Sequence, residues 1–240
     1  MNLCIDIGNS FAKLAIVDNN KVLHKDVVQK IYVSLIKEIK KKYDFEKVIV
    51  GASGKLPKSI MHHLDRNYHL LVLNTSTKLP IEIGYKTPDT LGRDRIAAVV
   101  GANALEPELD HCVIDIGTCI TFDVILKSKL FVGGNISPGV ELRLKSMNDY
   151  TARLPLVKRG SLDQLLGETT EEALQNGATI GTLLEIESFI ERIKQKYKGI
   201  RTTLTGGDAD FFAKKFDSDI FVNPNLVLIG LNEIMNFNVQ

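Results

Sequence analysis

The sequence predicts an α/β fold of two duplicated lobes, each a mixed sheet flanked by helices. A short glycine motif occurs twice, as Asp6-Ile7-Gly8-Asn9-Ser10 and as Asp115-Ile116-Gly117-Thr118. The order of strand-like and helical segments after the first motif is broadly repeated after the second. With 240 residues and 44% hydrophobic content, the chain is large enough for two modest lobes. A link near Pro107 divides it into lobes over residues 1–108 and 109–240.

The first lobe begins with three strand-like runs, which are followed by a helix, a strand, a second helix and a further strand. Strands separated by short turns pair in antiparallel fashion, whereas strands separated by a helix pair in parallel. This order therefore predicts a mixed sheet with helices on both sides. The predicted strands cover residues 2–6, 11–18, 21–28, 47–51 and 70–73, and the predicted helices cover residues 31–43 and a segment after Pro57.

The second lobe shows the same kind of pattern from Cys112 onward. Two hairpins are followed by helical segments that alternate with short apolar runs. The predicted strands cover residues 112–116, 120–127, 129–135, 201–204 and 219–222, and helices are predicted after Gly139, over 170–197, after Asp208 and from Asn225.

Each of the two glycine motifs joins two apolar runs and predicts a tight hairpin. Glycine lets backbone N–H groups approach an anion closely, and the Asn, Ser or Thr that follows adds further donors. The aspartate at the strand end can hold a cation, or its bound water, against a phosphate. Ordinary turn chemistry accounts for one such motif. Two motifs in equivalent settings predict lobes that close on one polyphosphate, with an ATP cleft between them.

The segment Gly92-Arg93-Asp94-Arg95 precedes a helical run and places a carboxylate between two guanidinium groups. A phosphotransferase uses such a carboxylate to orient and deprotonate the acceptor hydroxyl. Arginine binds an anionic acceptor with bidentate geometry. The structural alternative is that Asp94 only caps the helix, since Asp is favoured in the first turn.

Two further glycine-rich segments lie in the second lobe. Gly133-Gly134-Asn135-Ile136-Ser137-Pro138-Gly139 precedes a helix, whose N-terminus can bind an anion, although it can also be a plain connector. Thr205-Gly206-Gly207-Asp208-Ala209 lies between a strand and a helix. Its paired glycines would let a flat ring such as adenine lie on the backbone, and the alternative is a tight turn capped by Asp208.

Charge and composition exclude several classes of partner. The 30 basic and 29 acidic residues nearly cancel, so we expect no nucleic-acid partner. No apolar run approaches the roughly 18 residues of a membrane span, and no basic leader precedes the first apolar run, so we expect neither a membrane span nor a secretory signal. The cysteines Cys4, Cys112 and Cys119 lack metal or redox spacing, which favours a reduced, cytoplasmic protein.

Taken in order, these motifs closely resemble those of type III pantothenate kinases, and the resemblance covers essentially the whole chain. One motif alone is weak evidence, but five or six in this order are specific. Lobes of this topology also resemble the actin, sugar kinase and chaperone ATPase superfamily, which implies actin-like (ribonuclease H-like) lobes. The motifs are Asp6-Ile7-Gly8-Asn9-Ser10, Gly92-Arg93-Asp94-Arg95, Asp115-Ile116-Gly117-Thr118, Gly133–Gly139, Gly167–Ala173 and Thr205–Asp208.

The resemblance implies phosphorylation of pantothenate by ATP, giving 4'-phosphopantothenate in the first step of coenzyme A biosynthesis. It also implies a catalytic base at Asp94, a divalent cation (Mg²⁺) with ATP, and a monovalent cation (K⁺ or NH₄⁺) at Asp115. Family members are typically homodimers, so Thr170 is a candidate for the partner's site. The implied ATP-binding residues are Asp6, Ile7, Gly8, Asn9, Ser10, Phe11, Ala12, Lys13 and Thr118, and those for pantothenate are Tyr85, Gly92, Arg93, Asp94, Arg95 and Thr170.

Three alternative functions stay open at the level of the sequence. The first is another small-molecule kinase or phosphatase of the same superfamily. The second is a regulatory accessory protein of the pantothenate kinase family, although the neutral net charge argues against direct contact with DNA. The third is an actin-like or chaperone-like ATPase, which would keep both hairpins but would not need Gly92-Arg93-Asp94-Arg95.

Overall fold

The computed structural model describes residues 1–8, 10–52, 54, 57–216 and 220–239. The chain forms two compact units, and neither is a single stretch of sequence. The first comprises Met1–His111, Asp123–Gly133 and Asn225–Gln240, and the second comprises Cys112–Phe122 and Gly134–Pro224. The predicted boundary at residue 108 was based on the repeated order of strands and helices, whereas the two units are defined by compactness. The division into lobes at residue 108 therefore stays a prediction.

The predicted strands and helices are present with small shifts at their ends. The strands are β1 (Asn2–Ile7), β2 (Ala12–Asp18), β3 (Lys21–Val28), β4 (Lys47–Ala52), β5 (His69–Val72), β6 (Glu82–Ile83), β7 (His111–Ile116), β8 (Cys119–Ile125), β9 (Leu130–Pro138), β10 (Arg201–Thr205) and β11 (Ile220–Val222). The helices are α1 (Val33–Lys42), α2 (Lys58–Asn67), α3 (Arg93–Leu105), α4 (Val140–Asp149), α5 (Thr170–Lys196), α6 (Ala209–Ala213) and α7 (Leu226–Asn238).

Four details differ from the sequence prediction or lie beyond it. The short strand β6 and a 3₁₀ turn over Pro88–Thr90 were not predicted. The glycine-rich segment after residue 132 is not a connector, because β9 continues to Pro138. The predicted start of the last strand, Asp219, lies outside the described residues.

The first sheet has five strands in the order β3-β2-β1-β4-β5. Strands β1, β2 and β3 pair in antiparallel fashion through short turns, whereas β4 and β5 each follow a helix and pair in parallel. The predicted mixed sheet is therefore confirmed, and its central strand is β1, which carries the first glycine motif at its end.

Alternation along β1 assigns its side chains to two faces of this sheet. Leu3, Ile5 and Ile7 belong to an apolar cluster that also contains buried residues of α1 and α2. On the other face, the Asn2 amide donates to Asn232 Oδ1 in α7 over 2.8 Å. Asp6 follows Asn2 by an even number of residues and so belongs to the same face of the strand. The strand therefore presents the Asp6 carboxylate on the face that contacts α7.

Helices α3 and α7 pack together unusually closely, and both contact the first sheet at β4. A Cβ atom on Gly101 would lie 3.1 Å from the backbone nitrogen of Gly230, and one on Gly230 would lie 2.9 Å from that of Gly101. This close backbone contact fixes the position of α3 in the first unit. It therefore also fixes the first turn of α3, where Asp94 lies.

The second sheet has six strands in the order β11-β10-β7-β8-β9-β6. Strands β7 and β8 are joined by the second glycine motif, where the Gly117 N–H donates to the Cys119 carbonyl over 3.0 Å. Two mixed sheets with flanking helices confirm the predicted fold class. In the part of the chain that the structure describes, no helix is both long and apolar enough to cross a membrane.

Candidate functional site

The first glycine motif forms the hairpin that the sequence predicts between β1 and β2. The Gly8 N–H donates to the Phe11 carbonyl over 3.0 Å, and Asp6 pairs with Lys13 across the ladder. A carboxylate and an ammonium group thus lie directly opposite each other beside the turn. The predicted ATP ligand Asn9 lies outside the described residues. The remaining predicted ligands of this segment are Ile7 and Ala12, which are buried, and Ser10 and Phe11, which are exposed.

Asp6 is a buried carboxylate in an unfavourable electrostatic environment. It is 8% exposed, and burial raises its pKa from the ordinary value of 3.8 to about 6. Lys13 lowers the pKa of Asp6, while the nearby charge of Asp94 raises it. A bound cation would stabilise such a carboxylate, whose charge is disfavoured by burial and by a neighbouring acid.

Asp94 lies in the first turn of α3, as predicted. Its Oδ1 atom accepts a hydrogen bond from the Arg95 backbone N–H over 2.9 Å. The N-cap residue is Gly92, and a Cβ atom there would lie 2.5 Å from Asp94 Oδ1. Glycine therefore leaves the space that the half-buried Asp94 carboxylate occupies.

Arg95 and Asp123 form a buried ion pair in the first unit. Arg95 is 5% exposed and Asp123 is fully buried. The guanidinium donates from Nε to both carboxylate oxygens over 3.0 and 3.2 Å, and from Nη2 to Oδ1 over 2.5 Å. Burial opposes the charged guanidinium, but the hydrogen bonds and the charge of Asp123 raise the pKa of Arg95 above its ordinary value.

Two aromatic rings flank the Arg95 guanidinium. Its Cζ atom lies 5.6 Å from the Tyr85 ring centroid and 6.0 Å from that of Phe131, and the two rings are nearly parallel. A hydrogen bond to Tyr85 also favours the charged form of Arg95. Tyr85 was predicted to bind pantothenate, and the structure places it in contact with Arg95. The neighbouring Arg93 donates from Nη1 to the Leu91 carbonyl over 3.0 Å.

The three glycine segments of the second half meet within the second unit. The Gly139 N–H donates to the Thr118 carbonyl over 3.0 Å, and the Asp208 N–H donates to the Ile116 carbonyl over 2.9 Å. Gly206 has a φ of +98°, and a Cβ atom there would lie 2.5 Å from Asp115 Oδ1. Backbone that only glycine permits thus packs against the hairpin that carries Asp115 and Thr118.

Alanine substitutions at the two adjacent glycines should differ in their effect on stability, because a Cβ atom collides with the backbone at Gly206 and meets open space at Gly207. Gly206→Ala should lower the melting temperature strongly, since its Cβ atom would also lie 2.6 Å from Ile116 N in a left-handed conformation. We expect a loss of about 2 kcal/mol or more of unfolding free energy. Gly207→Ala is the matched control, because its Cβ atom would meet nothing within 4 Å. Equal melting temperatures for the two variants in differential scanning calorimetry would contradict this account.

The other predicted residues of the second unit are accessible. Thr118 is exposed, and so is Thr170, the first residue of α5. The adjacent Thr169 caps this helix, because its side chain accepts a hydrogen bond from Glu172 N over 3.2 Å and the Glu172 carboxylate accepts one from Thr169 N. Thr170 is therefore free of the capping role and displayed at a fixed helix start.

Sequence reasoning missed residues that complete these sites. Asp123 and Phe131 surround Arg95, and Arg159 forms an ion pair with Asp208 while its Cζ atom lies 4.0 Å from the Phe211 ring centroid. For Asp123 a signal was available, because an acid inside the apolar run of β8 has to be paired when it is buried.

Comparisons with known proteins agree on one family. A family model described as type III pantothenate kinase matches residues 2–192. The type III pantothenate kinase of Cytophaga hutchinsonii is 39% identical over 240 residues, with the whole of both chains covered.

Among solved structures, a Campylobacter jejuni protein described as belonging to the Baf family of transcriptional activators is 24% identical. It has a TM-score of 0.60, with 98% of each chain covered. The Listeria monocytogenes protein Lmo2764, described as an N-acetylmannosamine kinase, is 12% identical with a TM-score of 0.54, and 98% of this chain and 99% of that one are covered. At these identities the two structures support the fold alone, and that fold is the actin-like one of sugar kinases.

Proposed function

The chain belongs to the type III pantothenate kinase family, and from that membership we propose how its residues divide the work of the reaction. It is a transferase that phosphorylates pantothenate in coenzyme A biosynthesis. The observation that supports our assignment best is the proximity of Asp6 and Asp94 in the first unit, where the charge of Asp94 raises the pKa of Asp6. Asp6 would serve the phosphate donor, and Asp94 would serve the acceptor.

Asp94 is the proposed catalytic base. It would orient the acceptor hydroxyl and take its proton as the phosphoryl group is transferred. Phosphoryl transfer has a loose transition state, so correct orientation of the acceptor contributes as much as basicity does. The Arg95 N–H and the space left by Gly92 support this role, because the N–H orients the carboxylate and the missing Cβ atom leaves room for it.

The first hairpin is the proposed site for the ATP phosphates, through Gly8, Asn9, Ser10 and Lys13 with the rest of the segment from Asp6. Mg²⁺ that accompanies ATP would neutralise charge on the transferred phosphate. Asp6 is suited to hold this cation, since it is an acidic group destabilised by burial and by the charge of Asp94. Lys13, opposite Asp6, would contact phosphate as a point charge.

The second unit would contribute Thr118 to ATP and Asp115 to a monovalent cation, K⁺ or NH₄⁺. The absence of a side chain at Gly206 leaves room beside the Asp115 carboxylate, which supports a site for a small ligand there. Oxygen ligands of this kind suit hard cations. The turn at Gly206 and Gly207 would accept the adenine ring.

The acceptor site would include Tyr85, Gly92, Arg93 and Arg95, with Thr170 acting from a partner subunit in a homodimer. Large apolar side chains on the second unit support association, because Tyr150, Leu165 and Leu166 are 89%, 68% and 77% exposed. Light scattering of the purified protein tests the dimer.

The three free cysteines, two of them buried, support a reducing compartment, the cytoplasm.

A coupled ADP-release assay tests the proposed function directly. ATP and Mg²⁺ are supplied with and without pantothenate, and K⁺ is exchanged for Na⁺ in a parallel series. We expect ADP release only with pantothenate, and faster release with K⁺ than with Na⁺. Release of ADP without pantothenate would instead favour an actin-like or chaperone-like ATPase.

The stability of the ligand-free protein should depend on the ionisation of Asp6. Because its pKa rises from 3.8 to about 6 on folding, the folded state binds more protons than the unfolded state between these values. The contribution of Asp6 to the free energy of unfolding therefore increases as the pH falls from about 6 to about 4. The full effect is about 3 kcal/mol.

Asp6→Asn provides the matched control for this pH dependence, because it is neutral at every pH. In a chelating buffer, we expect Asp6→Asn to melt at a higher temperature than the wild type at about pH 7.5. The difference should shrink towards zero near pH 4 as the wild-type carboxylate takes up its proton. A difference that stays constant across this range would show that the folded protein does not perturb Asp6.

A further inference from the structure

We propose that Asp123 is a positioning residue, which holds the Arg95 guanidinium ready to bind the carboxylate of the acceptor. This inference rests on the proposed function, since it assigns part of the acceptor's recognition to a residue that does not touch the acceptor. Three observations on the first unit carry it: the shape of the ion pair, the two flanking rings, and the small exposed fraction of Arg95.

The ion pair uses one edge of the guanidinium, and even with the hydrogen bond to Tyr85 not all of its N–H donors are used. Arginine has five N–H donors. Asp123 accepts from Nε and Nη2 in three hydrogen bonds, and Nη1 takes no part in them. A carboxylate that fixes one edge of a guanidinium presents the rest of it in a defined orientation, as outer-shell groups do for the ligands of a metal.

The rings of Tyr85 and Phe131 restrict the guanidinium further. Both centroids lie within 6.0 Å of its Cζ atom, and the planes of the rings differ by 10°. Because Arg95 is only 5% exposed, an anion has few directions from which to approach it. A planar carboxylate matches the fork of N–H groups that arginine offers.

Asp123 also neutralises Arg95, and this gives the proposal a sharp test. If Arg95 attracts the acceptor simply by its charge, removal of the Asp123 charge should strengthen binding of an anionic acceptor. If Asp123 acts by positioning, its removal should weaken binding, because the guanidinium can then leave its productive orientation. A displacement of about 1 Å is enough to cost roughly a hundredfold in activity.

The test measures steady-state kinetics of the full-length Asp123→Asn variant with pantothenate and with pantothenol, which has an alcohol in place of the carboxylate. For Asp123→Asn we expect the KM for pantothenate to rise about tenfold or more, with the KM for ATP changed by less than about twofold. The kinetics with pantothenol should change little. A lower KM for pantothenate, or equal penalties on both acceptors, would overturn the proposal.

Two further variants keep this test independent of folding. Val48→Ala removes apolar contacts of a fully buried residue in β4, and it should lower the melting temperature without changing the ratio of the two KM values. If Asp123→Asn does not fold, Asp123→Glu decides, because it keeps the charge and moves the guanidinium. An unchanged KM for pantothenate in folded Asp123→Glu would overturn the proposal. Wild-type enzyme that released no ADP with pantothenate would instead reject the proposed function.

Discussion

Asp94→Asn should lower turnover by about a hundredfold or more, while the affinity for ATP stays close to that of the wild type. The reason is that Asp94 acts on the acceptor hydroxyl rather than on the nucleotide. The amide retains an oxygen that can accept the Arg95 N–H, so the start of α3 should be preserved. Single-turnover kinetics and calorimetric titration with ATP measure the two effects separately.

This substitution distinguishes catalysis from helix capping. Asn keeps the oxygen that accepts the Arg95 N–H, so a purely structural role in the first turn of α3 would leave turnover near normal in a well-folded Asp94→Asn protein. Asp89→Asn is a matched control, because Asp89 is an exposed carboxylate in the 3₁₀ turn that precedes α3. We expect Asp89→Asn to keep wild-type turnover.

The elements of this fold could be predicted from the sequence because their signals are local. A short apolar run identified β1, the turn at Asn19 and Asn20 has positive φ as such turns do, and Asp94 falls in the first turn of α3. The two hairpins were visible because glycine, hydroxyl and carboxylate residues recur in one order. The strand β6 escaped prediction because two residues are too few to show a period.

The partners within the site could not be predicted, because they depend on tertiary packing. Nothing in the spacing of Arg95 and Asp123 indicates that they meet, although a buried acid in β8 indicates that some partner exists. The membership of α7 in the first unit likewise depends on the close approach of Gly101 and Gly230, which lie far apart in the sequence. Sequence periodicity reports which face of an element is buried, not what covers it.

Asp6→Ala should reduce kcat/KM for MgATP by about a hundredfold or more, which corresponds to roughly 3 kcal/mol of transition-state stabilisation. Asp6 is the only carboxylate of the first hairpin, between residues 6 and 13. We also expect a higher Mg²⁺ concentration at half-maximal rate, because the variant lacks the group proposed to hold the cation. Steady-state rates at varied Mg²⁺ and fixed ATP measure both effects. Unchanged rate and unchanged dependence on Mg²⁺ would remove Asp6 from the proposed site.

Two control variants identify charge as the property of Asp6 that matters. Asp18→Ala removes a carboxylate at the far end of β2, where it pairs with the N-terminal ammonium group over 3.1 Å, and it should leave turnover unchanged. Asp6→Asn keeps the shape of the side chain without its charge, so it should be as inactive as Asp6→Ala. It should nevertheless be more stable than the wild type at neutral pH, since burial disfavours the charged form of Asp6. A variant that gains stability and loses activity would show that the fold tolerates an unfavourable buried charge because the reaction requires it.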